Sequence, residues 1–559
     1  NENYKASMPV TSIYSYFVDQ VISDVRTDLI KSGYTEKQAN NLIYNSGISI
    51  YATQDSDIQA AIDSEFTNIE NFPINKNLEP DKQGQAAMVI LDQRNGQILG
   101  MYGGYGKKEA SLSFNRATQM YRSPGSSIKP LLIYGPAIDN HLITPATVVD
   151  DSPCRLDPQY PDKLWPTNFS NNYRGLTTVR QAIIDSTNVV ATKTFLDYTG
   201  YDLGLSYLKN LGMDRYEDKG KPAISLGGFY KAMNPMLMAA GYAAFANDGS
   251  YYEPTTYTKV VDNSGKTLLD KKPISTLVYK DDRTPYMMTN MLHDVVTKGS
   301  ASQNINIKNA AGESIYTAGK TGTSTDQEDL WFVGYTAYYT CATWYGYDNS
   351  KSVPSGDEYF TSQRLWNKVM TKIHANLEPK EFTRPDGIVE ADVCKVSGEM
   401  PTQICLDDPR GEVYREIFMS GTEPSSPCSV HKSVQICDLS HDNFGKHELA
   451  GPFCPIADVN TVWGTYRKVL PDFRPGDPFP DDWGYELSHA GICTLHNSVE
   501  PPPENTTMPA TPDMPIDTPS PSPSITYPDT PSPPEQTPVI STQTPEPEPE
   551  PEETLSPDE

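Results

Sequence analysis

Strand-like runs stand at both ends of a long helical stretch, and this arrangement limits the possible folds more than any other feature of the chain. Met88-Val89-Ile90-Leu91 and Ile98-Leu99-Gly100-Met101 flank Asn95-Gly96, a pair suited to a tight primed turn, so residues 85–103 read as a hairpin. Tyr316–Thr323, Leu330–Tyr335 and Tyr338–Tyr347 read as three further strands, and Tyr359–Ala375 as a closing helix. Between the two groups, helices are expected at about 126–139, 177–197 and 233–247. One sheet is then built from segments about two hundred residues apart, with helices inserted between them, which is an α+β arrangement.

Residues 1–84 form a mixed leader. Ile13, Phe17, Val21, Val25 and Leu29 give helical spacing within Val10–Ile30, Ile48–Ala52 reads as a strand, and Asp55–Phe66 as a second helix. Past residue 378 the texture changes, with six of the eight cysteines between Cys394 and Cys493. From about residue 499, Pro, Thr, Ser and Glu dominate, a composition that buries too little apolar surface to fold, so residues 499–559 are expected to be a disordered tail.

The formal net charge is -27, and about a dozen of the acidic groups lie in a tail with no Lys or Arg. The remaining body is moderately acidic, which argues against a nucleic-acid groove. No glycine-rich phosphate loop occurs between a strand and a helix, so nucleotide chemistry is not expected and no cofactor is assigned. The chain begins at Asn1, has no secretion signal and has no apolar run of the ~18 residues a membrane helix needs. A soluble cytosolic protein and an ectodomain separated from its anchor both fit, and the tail and the cysteines favour the ectodomain as the expectation.

The chemistry is carried by three short motifs. Ser126-Ser127-Ile128-Lys129 follows the turn-forming Pro124-Gly125 and places a hydroxyl and an amine one helical turn apart. Ser186-Thr187-Asn188 follows after about sixty residues, and Lys320-Thr321-Gly322 about one hundred and thirty beyond that. A serine hydroxyl is a weak nucleophile until a neighbour takes its proton. A desolvated Lys129 beside a second cation serves as that base without histidine. Lys320 supplies the second cation and holds a substrate carboxylate, while Ser186 bridges the lysines and protonates the leaving amine. Asn188 offers an amide to a substrate backbone. The Gly322-Thr323 edge offers an N–H that joins that of Ser126 in an oxyanion hole. Ser123 has no Lys three residues on and is a decoy.

The flanking residues extend the pattern. Phe114-Asn115-Arg116-Ala117-Thr118 leads into Pro124–Pro130, and Thr178-Val179-Arg180-Gln181-Ala182 precedes Ser186. Leu226-Gly227-Gly228, Lys320-Thr321-Gly322-Thr323-Ser324 and Trp331-Phe332-Val333-Gly334-Tyr335 complete the set. Over residues 85–375 the chain resembles the penicillin-binding proteins, and Ile48–Asp55 is similar to the linker of their bifunctional class A members. Ile128 stands where Phe is common in the family.

The resemblance implies an antiparallel sheet covered by helices with an all-helical subdomain. It also implies a D,D-transpeptidase domain at 85–378, preceded by a linker at 1–84 and followed by a cysteine-containing module at 379–498. It implies acylation of Ser126 by peptidoglycan stem peptides ending in D-alanyl-D-alanine, inhibition by β-lactams, and work at the extracytoplasmic face of a bacterial membrane, reached through an anchor missing from this chain. Cell-wall synthesis proteins are the implied partners. Ser126, Lys129, Ser186 and Lys320 take the catalytic roles, with Asn188, Thr321, Gly322 and Thr323 binding substrate.

A D,D-carboxypeptidase and a β-lactam sensor share the motifs and remain as alternatives, and an adhesion protein with a degenerate domain is disfavoured by three intact motifs. A serine β-lactamase of one major type needs a Glu in a Glu-x-x-Leu-Asn context, and none of Glu217, Glu253 and Glu313 has those neighbours. The six late cysteines admit two readings. As disulfides, Cys394–Cys405, Cys437–Cys454 and Cys428–Cys493 are the expected pairs. As a metal site, the two Cys-x-x-His elements at Cys428–His431 and Cys493–His496 supply a tetrahedral zinc. An extracytoplasmic setting favours disulfides, so no metal is assigned and both histidines are expected to be structural or exposed. Cys154 and Cys341 are expected to be buried thiols.

Overall fold

The computed structural model describes residues 13–73, 82–442, 446–488 and 490–496; the tail expected from residue 499 lies outside the described residues. Its centre is a five-stranded antiparallel sheet in the order Ala318–Thr323, Asp329–Tyr335, Thr340–Gly346, Gln85–Leu91 and Ile98–Tyr102. The strands expected from the two distant parts of the sequence therefore meet, with Thr340–Gly346 paired to Gln85–Leu91. Every residue of the three middle strands is buried, which explains their continuous apolar runs. The helices Pro235–Ala246 and Arg283–Thr297 and the helices Ser56–Phe66 and Thr361–Ile373 pack against this sheet. Pro235–Ala246 is apolar on all sides, as a helix at the centre of a domain must be.

The hairpin turn differs from the primed pair. Pairing ends at Leu91↔Ile98 after a register shift, and of Asn95 and Gly96 only Gly96 has a positive φ, of 74°. The Asp92 carbonyl accepts the Gly96 N–H at 2.9 Å, and Asp92 Oδ1 accepts the Arg94 N–H at 2.9 Å. A side-chain-supported turn closed by a left-handed glycine has replaced the two-residue turn. The leader joins the main body: Ser49–Ala52 pairs with Tyr257–Val261, and Phe17, Val25, Ile62 and Phe66 share one core with the central sheet.

Two expected helices are broken where the motifs lie. The first winds as a 3-10 turn at Gly125–Ile128, a π-turn at Pro130–Tyr134 and an α-helix at Gly135–Asp139. Pro130 and Pro136 each lack an N–H, so an unbroken α-ladder is unavailable there. The second stops at Asp185, because Ser186 turns left-handed at φ 62° and ψ 33°, and restarts as Asn188–Thr194. That reversal turns backbone carbonyls inward.

Beyond residue 384, Ile388–Cys394 pairs with Val413–Met419, and His431–His441 lies between His447–Leu449 and Val459–Thr465. This region packs onto the segment that leads into Ser186. Arg180 donates to Glu416 at 2.6 and 2.7 Å, to Asp294 at 2.8 Å and to Asn290 at 2.8 Å. Arg467 reaches Asp150 and Asp482, while the Leu176 N–H donates to Asp482 at 2.9 Å. Removing one member of such a buried group leaves the others uncompensated. Arg180→Met is expected to lower the unfolding free energy by about 3 kcal/mol in urea titrations. A loss below about 1 kcal/mol would show that the two regions do not lean on this charge.

Candidate active site

Lys129 is 1 % exposed and ends in a cradle of three oxygens. Its Nζ donates to the Ser186 carbonyl at 2.9 Å, the Thr187 carbonyl at 3.1 Å and Asn188 Oδ1 at 2.8 Å. The left-handed Ser186 is what directs consecutive carbonyls at one point. Asn188 is fixed in turn: its Nδ2 donates to the Thr167 carbonyl at 2.9 Å, and its backbone N–H donates to Asn168 Oδ1 at 2.8 Å. Asn188 Oδ1 is thus taken by Lys129 and one Nδ2 hydrogen by Thr167, which fixes the orientation of the amide. The first and second motifs are joined through the lysine.

The electrostatics of the cradle disfavour charge. Burial holds the Lys129 amine well below the usual lysine range, the positive charge of Lys320 pushes it further, and Asp151 pulls it partly back. Asp151 is itself occupied, accepting Asn168 Nδ2 at 2.8 and 3.0 Å and the Arg174 N–H at 3.0 Å. Lys320 is 1 % exposed, and burial brings it down to about 7 against an opposing pull from Asp185.

The third motif lies on the edge strand, Ala318–Thr323, against the turn that carries Ser126. The approach is so close that a Cβ on Gly322 would sit 2.3 Å from the Pro124 carbonyl oxygen, and one on Gly125, where φ is +52°, 2.3 Å from that of Thr323. The Ser324 N–H donates to the Asp329 carbonyl at 3.0 Å. Antiparallel alternation then turns the backbone N–H and C=O of Thr323 to the outer edge, towards Gly125. Ser126 is half-buried, while Ser127 beside it is buried, its Oγ donating to the Pro124 carbonyl at 2.6 Å and its own carbonyl accepting Tyr242 OH at 2.5 Å. The decoy Ser123 donates to the Gly227 carbonyl at 2.9 Å and accepts Trp331 Nε1–H at 2.7 Å, so it braces the turn.

Several residues of the site carry no local signature in the sequence. Thr323 Oγ1 lies 2.8 Å from Tyr359 OH and Thr321 Oγ1 lies 2.8 Å from Ser300 Oγ, so both threonine hydroxyls are oriented from other elements. Asn168 and Asp151 hold the cradle from behind.

Residues 86–371 match the penicillin binding protein transpeptidase domain, and residues 384–433 match the penicillin-binding protein 1A C-terminal domain. The chain belongs to the penicillin-binding protein transpeptidase family. It is 36% identical over 465 residues to penicillin-binding protein 1A of Clostridium botulinum strain Hall, covering 81% of this chain and 54% of the relative. It is 30% identical over 447 residues to penicillin-binding protein 1A/1B of Bacillus subtilis, covering 76% and 45%. The chain therefore spans about half the length of the curated relatives it matches. Among solved structures, penicillin-binding protein 1A from Haemophilus influenzae superposes with a TM-score of 0.58 at 20% identity, over 72% of this chain and 77% of that one. The PonA1 protein from Mycobacterium tuberculosis, in complex with penicillin V, gives 0.54 at 21% identity over 66% and 96%. These two likenesses show the penicillin-binding transpeptidase fold.

Glu217, Glu253 and Glu313, the acidic residues between the second and third motifs considered above, are all exposed. Cys341 is buried in a central strand, and burial raises both its thiol and that of the half-buried Cys154, the latter to about 11.

The buried Lys320 binds fewer protons folded than unfolded, so stability rises with pH between about 7 and the ordinary lysine value of 10.5. Lys320→Met removes this penalty. It is expected to stabilise the protein by on the order of 2–4 kcal/mol below pH 7, a gain that shrinks towards zero as pH approaches ~10.5. Thermal and urea unfolding across that range check it; a pH-independent difference would contradict it.

Proposed function

We propose that this chain carries the D,D-transpeptidase activity of a class A penicillin-binding protein, cross-linking peptidoglycan stem peptides through an acyl-enzyme on Ser126. The observation that carries the reading is the buried Lys129 amine, depressed by burial and Lys320 and held by the Ser186–Asn188 turn. In its neutral form Lys129 takes the Ser126 proton as Oγ attacks the carbonyl of the penultimate D-alanine. The N–H groups of Ser126 and Thr323 receive the oxyanion, and the outward turn of Thr323 supports that role. Collapse breaks the D-alanyl-D-alanine amide, with Ser186 passing the proton to the departing amine. An amine of a second stem peptide then attacks the ester and regenerates Ser126.

Lys320, Thr321, Gly322 and Thr323 hold the terminal carboxylate of the donor. An extended peptide can add along the free edge of their strand, the usual way a sheet edge takes a peptide. β-Lactams acylate the same serine, and the exposure of Glu217, Glu253 and Glu313 supports a long-lived adduct. The domain arrangement proposed is a linker over 1–84, the transpeptidase over 85–378, the cysteine module over 379–498 and the tail over 499–559. The site of action is the extracytoplasmic face of the membrane, with cell-wall synthesis proteins as partners. Among the described residues no helix is long and apolar enough to cross a membrane.

Intact mass after incubation with a penicillin is expected to show one adduct per chain, absent in Ser126→Ala. An adduct persisting in that variant would sink the assignment. Turnover of a donor stem peptide in the presence of a D-amino acid is expected to give the exchanged peptide in excess over the hydrolysed one. Hydrolysis alone would make it a carboxypeptidase, and acylation without turnover a sensor.

The acylation rate against pH reports the free protein. It is expected to rise as Lys129 loses its proton and to fall as Lys320 loses its own at about 7. Lys320→Arg is expected to abolish the alkaline fall while lowering the maximum. An unchanged profile in that variant would show that the Lys320 charge plays no part.

A further inference from the structure

The six late cysteines do not pair as disulfides. All are free thiols, and the expected Cys428–Cys493 pair is split between two separate clusters. In the first, the ligand atoms of Cys394, Cys405 and His431 lie within 4.8 Å of one another, and Cys428 Sγ lies 3.7 Å from Cys394 Sγ. In the second, those of Cys437, Cys454, Cys493 and His496 all lie within 4.8 Å of one another. We propose that Cys394, Cys405, Cys428 and His431 form one structural zinc site, and that Cys437, Cys454, Cys493 and His496 form a second.

The spacings fit a shared tetrahedral centre. Ligands about 2.3 Å from a zinc ion stand ~3.8 Å apart along the edges of a tetrahedron, far beyond the ~2.05 Å of a disulfide. Here Cys394 Sγ to His431 Nδ1 is 3.7 Å, Cys437 Sγ to His496 Nδ1 is 3.5 Å and Cys493 Sγ to His496 Nδ1 is 3.4 Å. The first site also has the outer support that metal-binding histidines need. His431 Nε2 lies 2.5 Å from Asp408 Oδ2, and Asp408 is held by Arg410. A proton on Nε2 donates to that carboxylate and leaves the Nδ1 lone pair facing the sulfurs. Backbone N–H groups point at three of the sulfurs, from Thr402 to Cys405 at 3.4 Å, His431 to Cys428 at 3.3 Å and Gly451 to Cys454 at 3.3 Å.

The two sets also repeat one order along the chain, two separated cysteines and then Cys-x-x-His. Cys394, Cys405 and Cys428 make up most of a small buried cluster completed by Val396 and Val430, so the sulfurs stand where a core would be. A region with so little apolar interior needs a covalent or metal staple, and the 3.7 Å between Cys394 and Cys428 sulfurs is no disulfide. Each ion would tie a strand end to a loop and close the module that packs behind Ser186.

The test uses the full chain purified under reducing conditions without chelator, with zinc chloride as the probe. Plasma mass spectrometry is expected to find about two zinc ions per chain, and about one in each of Cys405→Ser and Cys454→Ser. Should either variant fail to fold, the unaltered chain decides: exchange into cobalt(II) is expected to give the intense visible bands of tetrahedral thiolate-bound cobalt, saturating at about two equivalents. Retained zinc stoichiometry in both variants, no zinc or cobalt uptake by the reduced chain, or six cysteines found in disulfides that take up no metal after reduction would each overturn the proposal.

Discussion

The structure turns on one buried amine. Lys129 sits where water cannot solvate its charge: three oxygens take its hydrogens, burial and Lys320 raise the cost of its third proton, and Asp151 offsets part of that cost. The three acceptors are two backbone carbonyls and one amide oxygen, all from Ser186–Asn188. Such an arrangement requires the helix to break, and the left-handed Ser186 breaks it. The strain of a non-glycine residue in that conformation, of order 1 kcal/mol, is maintained because Asn168 pins the restart of the helix from outside. The second buried lysine arrives on a strand that touches the serine turn backbone to backbone, a contact permitted only by Gly125 and Gly322. Neither lysine stabilises the fold by being there; a local cost is accepted for reactivity.

The support for that cost comes from behind. The residue that caps the helix before Ser186 is Thr178, and Arg180 in its first turn anchors to Glu416 of the C-terminal region. Asp150, next to Asp151, faces Arg467, and the strand Gly175–Thr178 receives Asp482 on the Leu176 N–H. The region beyond residue 384 therefore grips the one segment whose carbonyl directions matter most. Its own interior is poor in apolar residues and rich in sulfur, so the rigidity of the cradle depends in part on how those sulfurs are tied.

Much of this was legible in the sequence, for particular reasons. The central strands read correctly because burial on both faces gives continuous apolar runs, and the three motifs read because each packs its chemistry into three or four consecutive residues. What escaped was whatever tertiary structure alone decides. Asn168, Asp151, Ser300 and Tyr359 are ordinary loop, strand-end and helix-end residues until the fold sets them beside a motif. The breaks at Pro130 and Ser186 were hidden because apolar spacing runs straight through them, and periodicity does not report winding. Asn95-Gly96 misled because Asp92 offered a competing side-chain turn. The cysteines misled most. Spacing suggested short closed loops, while the fold groups them by threes with a histidine each, and the repeat of Cys-x-x-His was the signal that carried the difference.

The placing of Asp151 explains why the amine stays reactive. A carboxylate in direct contact would hold Lys129 as an ammonium, since a close ion pair in a buried setting favours both charges. Asp151 is near enough to raise the affinity of Lys129 for a proton, yet its oxygens are taken by Asn168 and the Arg174 N–H. Asn168 thus stands between the anion and the cradle: its Nδ2 faces Asp151, and its Oδ1 accepts the N–H groups of Asn188 and Val189. The lysine meets only neutral oxygens, which accept hydrogen bonds from an amine as well as from an ammonium. An ammonium can donate to all three and a neutral amine still to two of them, which holds the nitrogen near one place as a proton is taken up and released.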